Sequence, residues 1–161
     1  MQFRDLTLVD AITVATHMRQ EDRRCIHALM GDIEDESFAA NRWGAQGPAW
    51  TLADDAGNAR AIGGVQFVND WTGIMWLVVT EGLPLTAWRR VLSLSRTVIA
   101  NAMNPENKSH KHRIEASVIA DWSGAQDLVR RLGFRHESTR RAAGKNQEDL
   151  QTWAITLGDS K

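Results

Sequence analysis

The segment Ala125-Gln126-Asp127-Leu128-Val129-Arg130-Arg131-Leu132-Gly133-Phe134 reads as the end of a helix that runs directly into a strand. Ala125, Leu128, Val129 and Leu132 form one apolar stripe at helical spacing. Gly133 follows the last apolar position and can adopt the left-handed conformation that closes a helix, which lets Phe134 begin the next strand in the core. Strands are predicted on both sides, over 113–119 before this helix and over 134–139 and 150–157 after it. In the last of these, Trp153, Ile155 and Leu157 alternate with polar or small residues, as a half-buried strand requires.

Further towards the N-terminus, Leu85, Trp88, Leu92, Ile99 and Met103 recur near the helical period and predict the longest amphipathic helix, over 85–103. Pro84 suits its first turn, where no intrahelical N–H is lost. Residues 49–53, 61–68 and 74–80 switch to a strand-like period, separated by turn residues at 55–58 and 69–73, and predict an antiparallel meander. The first 45 residues predict a strand over 3–7, a helix over 11–18 with Asp10 as its N-cap, and a helix over 20–30 stopped by Gly31. A less regular pattern over 33–42 predicts a further helix. The principal order is β-α-α-β-β-β-α-β-α-β-β, an α+β class with a mixed sheet, because the two helices after the meander are crossovers that place neighbouring strands parallel.

At 161 residues, with 43% hydrophobic and 24% charged side chains, the chain is expected to form one domain over 1–161 that buries about two-thirds of its unfolded surface. Its 19 basic and 20 acidic residues give a net charge of −1, with no global pull towards nucleic acid or anionic membrane. The balance is uneven: 108–145 carries +5, and Asp32, Glu34, Asp35 and Glu36 cluster on the acidic side. One cysteine, Cys25, cannot form an internal disulfide and is expected to be a small buried hydrophobe. The apolar run 6–15 is interrupted by Asp10, lacks the lead-in and cleavage site of a signal peptide, and is too short to span a bilayer. The chain has seven tryptophans and no tyrosine.

The segment quoted first resembles a signature of the GNAT N-acetyltransferase superfamily, Ala-x-x-Leu-Tyr-x-x-Leu-Gly-Phe, and the element order is also that of GNAT proteins. The resemblance implies a GNAT-like acyl-CoA N-acyltransferase fold, a mixed central sheet flanked by helices. More narrowly, the opening His17-Met18-Arg19-Gln20-Glu21-Asp22-Arg23-Arg24 and the Leu-Gly-Phe ending look like degenerate GNAT-like proteins of tailed bacteriophages, among them internal virion proteins of short-tailed phages. By their sequence alone, Arg19, Asp22 and Arg23 read as a solvated helix face with local ion pairs.

A GNAT enzyme holds the pyrophosphate of acetyl-CoA on glycine-rich backbone between its fourth strand and the next helix, where N–H groups and the helix terminus supply positive potential. The matching stretch, Val78-Val79-Thr80-Glu81-Gly82-Leu83-Pro84-Leu85-Thr86-Ala87-Trp88-Arg89-Arg90, departs from that pattern. It has one glycine, Pro84 removes a donor, and Glu81 brings negative charge towards a phosphate. If acetyl-CoA binds, the resemblance implies contact through Val79, Gly82, Arg89 and Arg90. The tyrosine that protonates the leaving thiolate in many GNAT enzymes is replaced by Val129. Glu81 is the one candidate general base, read otherwise as an acid that stabilises a helix N-terminus.

Other residues point to binding. Trp76, Trp88, Trp122 and Trp153 lie beside apolar faces and are expected in the core, whereas Trp43, Trp50 and Trp71 lie in or beside loops, as lids on the core or anchors for a partner. His110-Lys111-His112 and His136 lack the matched cysteine or carboxylate partners of a metal site.

Two readings follow. In the favoured one the chain is a phage-encoded GNAT-like pseudoenzyme that needs no cofactor. It acts as an internal or virion-associated protein, or one that engages a host protein, in the virion or host cytoplasm. It would have no membrane or nucleic-acid partner, with homo-oligomerisation open. In the alternative it is an active acyl-CoA-dependent N-acetyltransferase with a divergent pyrophosphate loop, binding in a splayed crevice between 78–83 and 113–120.

Overall fold

The computed structural model describes residues 1–160. The sheet begins with β1 (Gln2–Asp5), after which three helices follow in succession: α1 (Leu8–Thr16), α2 (Gln20–Met30) and α3 (Asp35–Gly44). The meander is β2 (Ala49–Ala53), β3 (Ala59–Phe67) and β4 (Thr72–Val79). The long crossover helix α4 (Leu85–Met103) leads to β5 (Arg113–Ile119), and α5 (Ser123–Arg131) leads to β6 (Arg135–Arg140) and β7 (Leu150–Thr156). A 3-10 turn, Leu157–Ser160, follows. No helix among the described residues is long and apolar enough to cross a membrane.

The seven strands lie in the order β1-β2-β3-β4-β5-β7-β6. Every neighbouring pair is antiparallel except β4 and β5, which run parallel. Helix α4 imposes that direction, since it must carry the chain from the end of one strand back to the start of the next. The expected α+β class and mixed sheet are therefore present, and all the predicted strands and helices form, with ends displaced by a few residues. Of the two expected crossovers only α4 joins parallel neighbours: β6, reached through α5, is separated from β5 by β7, which returns antiparallel between them. Helix α1 starts earlier than expected. Thr7, not Asp10, is its N-cap, accepting a hydrogen bond from the Asp10 N–H at 3.1 Å, because the Asp10 carboxylate is held by Arg4 at 2.7 Å.

Strand alternation divides the core into two layers. On one face, α1 and α3 press Ala11, Val14, Ala15, Phe38 and Ala39 against Ile62 and Val78. On the other, α4 and α5 cover Val65, Met75, Ile114, Ala116 and Val118 with Ile99, Met103, Val129 and Leu132. The turn from α5 to β6 forms as read: Gly133 has φ +96° and the Phe134 N–H donates to the Val129 carbonyl at 3.0 Å, so Phe134 is buried at the next step. Trp50, expected in or beside a loop, lies in β2 and is buried, with its ring over Gly63. A Cβ built on Gly63 would stand 2.7 Å from the Trp50 ring, so the close approach needs glycine there. Trp153 is buried as expected. Trp76, Trp88 and Trp122 are only partly buried, because they face the cleft described next.

Candidate active site

The parallel ladder between β4 and β5 is short. It pairs Thr72 with Arg113, Gly73 with Ile114 and Ile74 with Glu115, and stops there. Beyond Ile74 the strands diverge and open a V through the sheet. The V continues into a cleft of about 600 Å³ that runs between α2 and α3 on one face and α4 and α5 on the other. Backbone polarity alternates along a strand, so the groups of Val78 point at β3 while those of Leu77 and Val79 point into the V.

Helix α2 fills the wide end of the V. The Arg19 N–H donates to the Val79 carbonyl at 3.0 Å, and the Val79 N–H donates to Asp22 Oδ2 at 3.1 Å. Arg19 closes a two-point fork on Asp22, Nε to Oδ2 at 2.9 Å and Nη2 to Oδ1 at 3.1 Å. Its guanidinium carbon lies 5.0 Å from the Trp88 ring centre and 5.5 Å from that of Trp122, which join the ends of α4 and α5 across the cleft. Burial pushes the Asp22 carboxyl above its ordinary range, and the Arg19 bonds only partly oppose it. One turn on, Cys25 packs against Ala28, Ile119 and Leu150, and burial pushes its thiol up to about 11. The local ion pair read from the sequence is present, but its face is turned inward: Asp22 is 5% exposed.

The other end of the cleft holds a second arginine. The Arg42 guanidinium carbon lies 5.4 Å from the ring centres of both Phe38 and Trp76. Its Nη1 donates to Gln66 Oε1 at 2.8 Å, its Nη2 lies 3.6 Å from Met30 Sδ, and its Nε is buried without a partner. No carboxylate lies within 4.0 Å of it among the described residues. Burial alone lowers its pKa from the ordinary arginine value. Arg42 was not legible as a site residue, since a single arginine between apolar helix positions has no distinguishing pattern.

The residues singled out in the sequence are placed as follows. Val79 borders the V, but both of its main-chain groups are taken by Arg19 and Asp22. Gly82 is exposed with φ +69°, and a Cβ there would meet nothing within 4 Å. Arg89 is exposed on the first turns of α4, while Arg90 is bound to the Met1 carbonyl. Glu81 stands outside the cleft lining, with Oε1 3.4 Å from the Gln20 N–H at the start of α2, not of α4, the helix that follows it in sequence. Val129 lies on the buried face of α5 and offers no proton. Trp43 and Trp71 are each 54% exposed. Asp32 of the acidic cluster meets Lys145 of the basic segment within the same chain, and Asp35 meets Arg23 at 2.7 Å. His110 and His136 bond to the Asn107 carbonyl at 2.9 Å and the Thr139 hydroxyl at 3.1 Å.

A mixed sheet split between its fourth and fifth strands, with helices on both faces of the split, is the GNAT acetyltransferase fold. Solved structures agree over the full chain. A spermidine N-acetyltransferase variant from Vibrio cholerae superposes with a TM-score of 0.72 at 12% identity, covering 100% of both chains. A GNAT superfamily phosphinothricin acetyltransferase from Sinorhizobium meliloti, solved in complex with AcCoA, gives 0.73 at 15% identity, covering 97% of this chain and 88% of that one. The ribosomal-protein-S18-alanine N-acetyltransferase from Escherichia coli gives 0.64 at 18% identity, covering 97% and 93%. No protein-family model and no curated protein matches the sequence.

Proposed function

We propose that this chain is an acyl-CoA-dependent N-acyltransferase, the reading set second by sequence alone. The observation that supports it is the V itself. A closed sheet would pair β4 with β5 throughout, yet here the ladder ends at Ile74 and Glu115 and leaves the Leu77 main chain facing an apolar cleft of about 600 Å³, within the size range of small-molecule sites. The fold is one whose solved neighbours include acetyltransferases, one of them with AcCoA bound.

The residues present fit an acyl-CoA in part. Helix α4 opens with no side-chain cap, and the Ala87 and Trp88 N–H groups fold back on Pro84, so the Leu85 and Thr86 N–H groups are the ones available to phosphate. Arg89, one turn further on, adds an exposed positive charge. Leu77 would hold the amides of the ligand's arm. Val79 would not, unless Arg19 and Asp22 released it. The bound ligand supplies an activated acyl thioester. With no tyrosine, Asp22 committed to Arg19, and the Cys25 thiol protonated at neutral pH, the chain's own contribution is to hold amine and thioester together and exclude water. Protein-dependent release of free CoA thiol from acetyl-CoA in the presence of primary amines is the expected result; no release with any amine rejects the assignment.

Two observations favour the non-catalytic reading. Arg19 and Asp22 plug the wide end of the V, and Trp43 and Trp71 stay exposed as partner anchors. Under that reading, which includes a phage or virion role, acetyl-CoA is not consumed and a protein partner is lost on Trp43→Ala or Trp71→Ala.

A further inference from the structure

The structure contains an internal standard for judging Arg42. Arg4 and Arg19 each present the Nε–Nη2 edge of the guanidinium to a carboxylate, Asp10 in one case and Asp22 in the other, with all four distances between 2.7 and 3.1 Å. On Arg42 the same edge meets no oxygen. Nε has no partner, and Nη2 faces only the Met30 thioether, a weak acceptor. The cation is clamped between Phe38 and Trp76, and Gln66 fixes its far corner, so the empty edge is held in place. A half-buried guanidinium without a counter-ion is unfavourable for the isolated fold. Met30 is unbranched, sits on the last turn of α2 and is partly exposed, so it can swing away from that edge at small cost.

We propose that the Nε–Nη2 edge of Arg42 is a carboxylate subsite, and that the acyl acceptor is an apolar α-amino acid or a close analogue. Its carboxylate displaces the Met30 sulfur and forks onto Arg42 as Asp22 forks onto Arg19. Its apolar side chain lies against Ile26, Leu29 and Trp76, which line the same cleft. Its amine then points along the cleft towards the V. The identity of the acceptor rests on the acyltransferase reading; the carboxylate subsite does not. In the transfer the amine nitrogen forms a bond to the acyl carbon as the C–S bond breaks, and CoA leaves as the thiolate that takes up a proton equivalent to the one the amine loses.

The test titrates the full chain with L-leucine, L-methionine and L-phenylalanine, and with the carboxamide of each, by calorimetry without any CoA present. At least one acid is expected to bind about tenfold or more tightly than its amide. Arg42→Gln and Met30→Glu should each remove that binding, the second by supplying an internal carboxylate, and neither should change acetyl-CoA affinity. Met30→Glu should also raise the melting temperature. Equal binding of acid and amide, or unchanged binding of the acid to Arg42→Gln, overturns the subsite. If acetyl-CoA binds and none of the three acids does, the acceptor proposal fails and the acyltransferase reading stands. If an acid binds through Arg42 and acetyl-CoA does not bind, the subsite stands and that reading fails.

Discussion

Asp22 shows how far one side chain can depart from what its neighbours in sequence suggest. Its partner three residues earlier, Arg19, makes it look like half of a surface ion pair. It is buried because its other partner, Val79, comes from 57 positions away. Removing the carboxylate leaves both a guanidinium and a strand N–H unpaired in the sheet, so Asp22→Ala is expected to destabilise the fold by about 3 kcal/mol in urea unfolding, the range for breaking a buried pair. A value under 0.5 kcal/mol would mean the pair behaves as a surface one. The carboxylates also set the acid limb of stability. At Asp10 burial acts to raise the pKa, but hydrogen bonds led by Arg4 leave it lowered, and at Glu137 the bonds from Arg113 lower it. Lowered groups stabilise above their unfolded value, about 4, and lose that contribution as pH falls through the folded value. Asp22, raised, works in the opposite sense: its contribution is full below about 4 and is lost as pH rises. Stability measured from pH 6 downward should therefore fall on the acid side, and Asp10→Asn should fall less steeply. Gly82 gives a simpler case. With φ +69° and open space around a Cβ, Gly82→Ala should cost about 1 kcal/mol of backbone strain by thermal melting, and a clash-sized loss would contradict the open loop.

Among the elements, α2 is the one that sequence periodicity underdescribes. Cys25, Ile26, Leu29 and Met30 mark an apolar side, but Arg19 and Asp22 extend it with charge, and only the gap in the sheet makes that extension buried. The turn from α5 to β6 was legible down to single residues, because Gly133 and Phe134 act locally. The expected core tryptophans were legible as apolar but not as cleft walls, since periodicity reports which face is covered and not what covers it. Trp50 lies in the strand read over 49–53, but its full burial was not legible, since it depends on Gly63 in the next strand. The tryptophans also provide a probe. There is no tyrosine, so intrinsic emission is tryptophan emission alone. Acetyl-CoA should change it through Trp88 and Trp122, which stack on Arg19. The pair Trp88→Phe and Trp122→Phe should abolish most of the change, and Trp43→Phe with Trp71→Phe should leave it intact; the reverse pattern would place the ligand outside the cleft.

Across the whole molecule, element order was readable from periodicity and turn chemistry, and it sufficed for the fold class and for the parallel pair joined by α4, but not for the insertion of β7 between β5 and β6. The split sheet came only through the resemblance carried by Leu128 to Phe134, since nothing in β4 or β5 as strings of residues says that their ladder ends after Ile74 and Glu115. Arg42 could not be found that way at all, because its significance is the absence of an acid brought near by folding. The account turns on one claim, that the open V accepts an acyl-CoA. The most direct test is thermal unfolding of the full chain with millimolar acetyl-CoA beside a ligand-free control. Ligand at about 100 times its dissociation constant adds about 2.7 kcal/mol, a rise of several degrees for a chain of this size, and that rise is the predicted result. An unchanged melting temperature at millimolar acetyl-CoA would contradict the claim and leave the plug of Arg19 and Asp22 as the permanent occupant of the V.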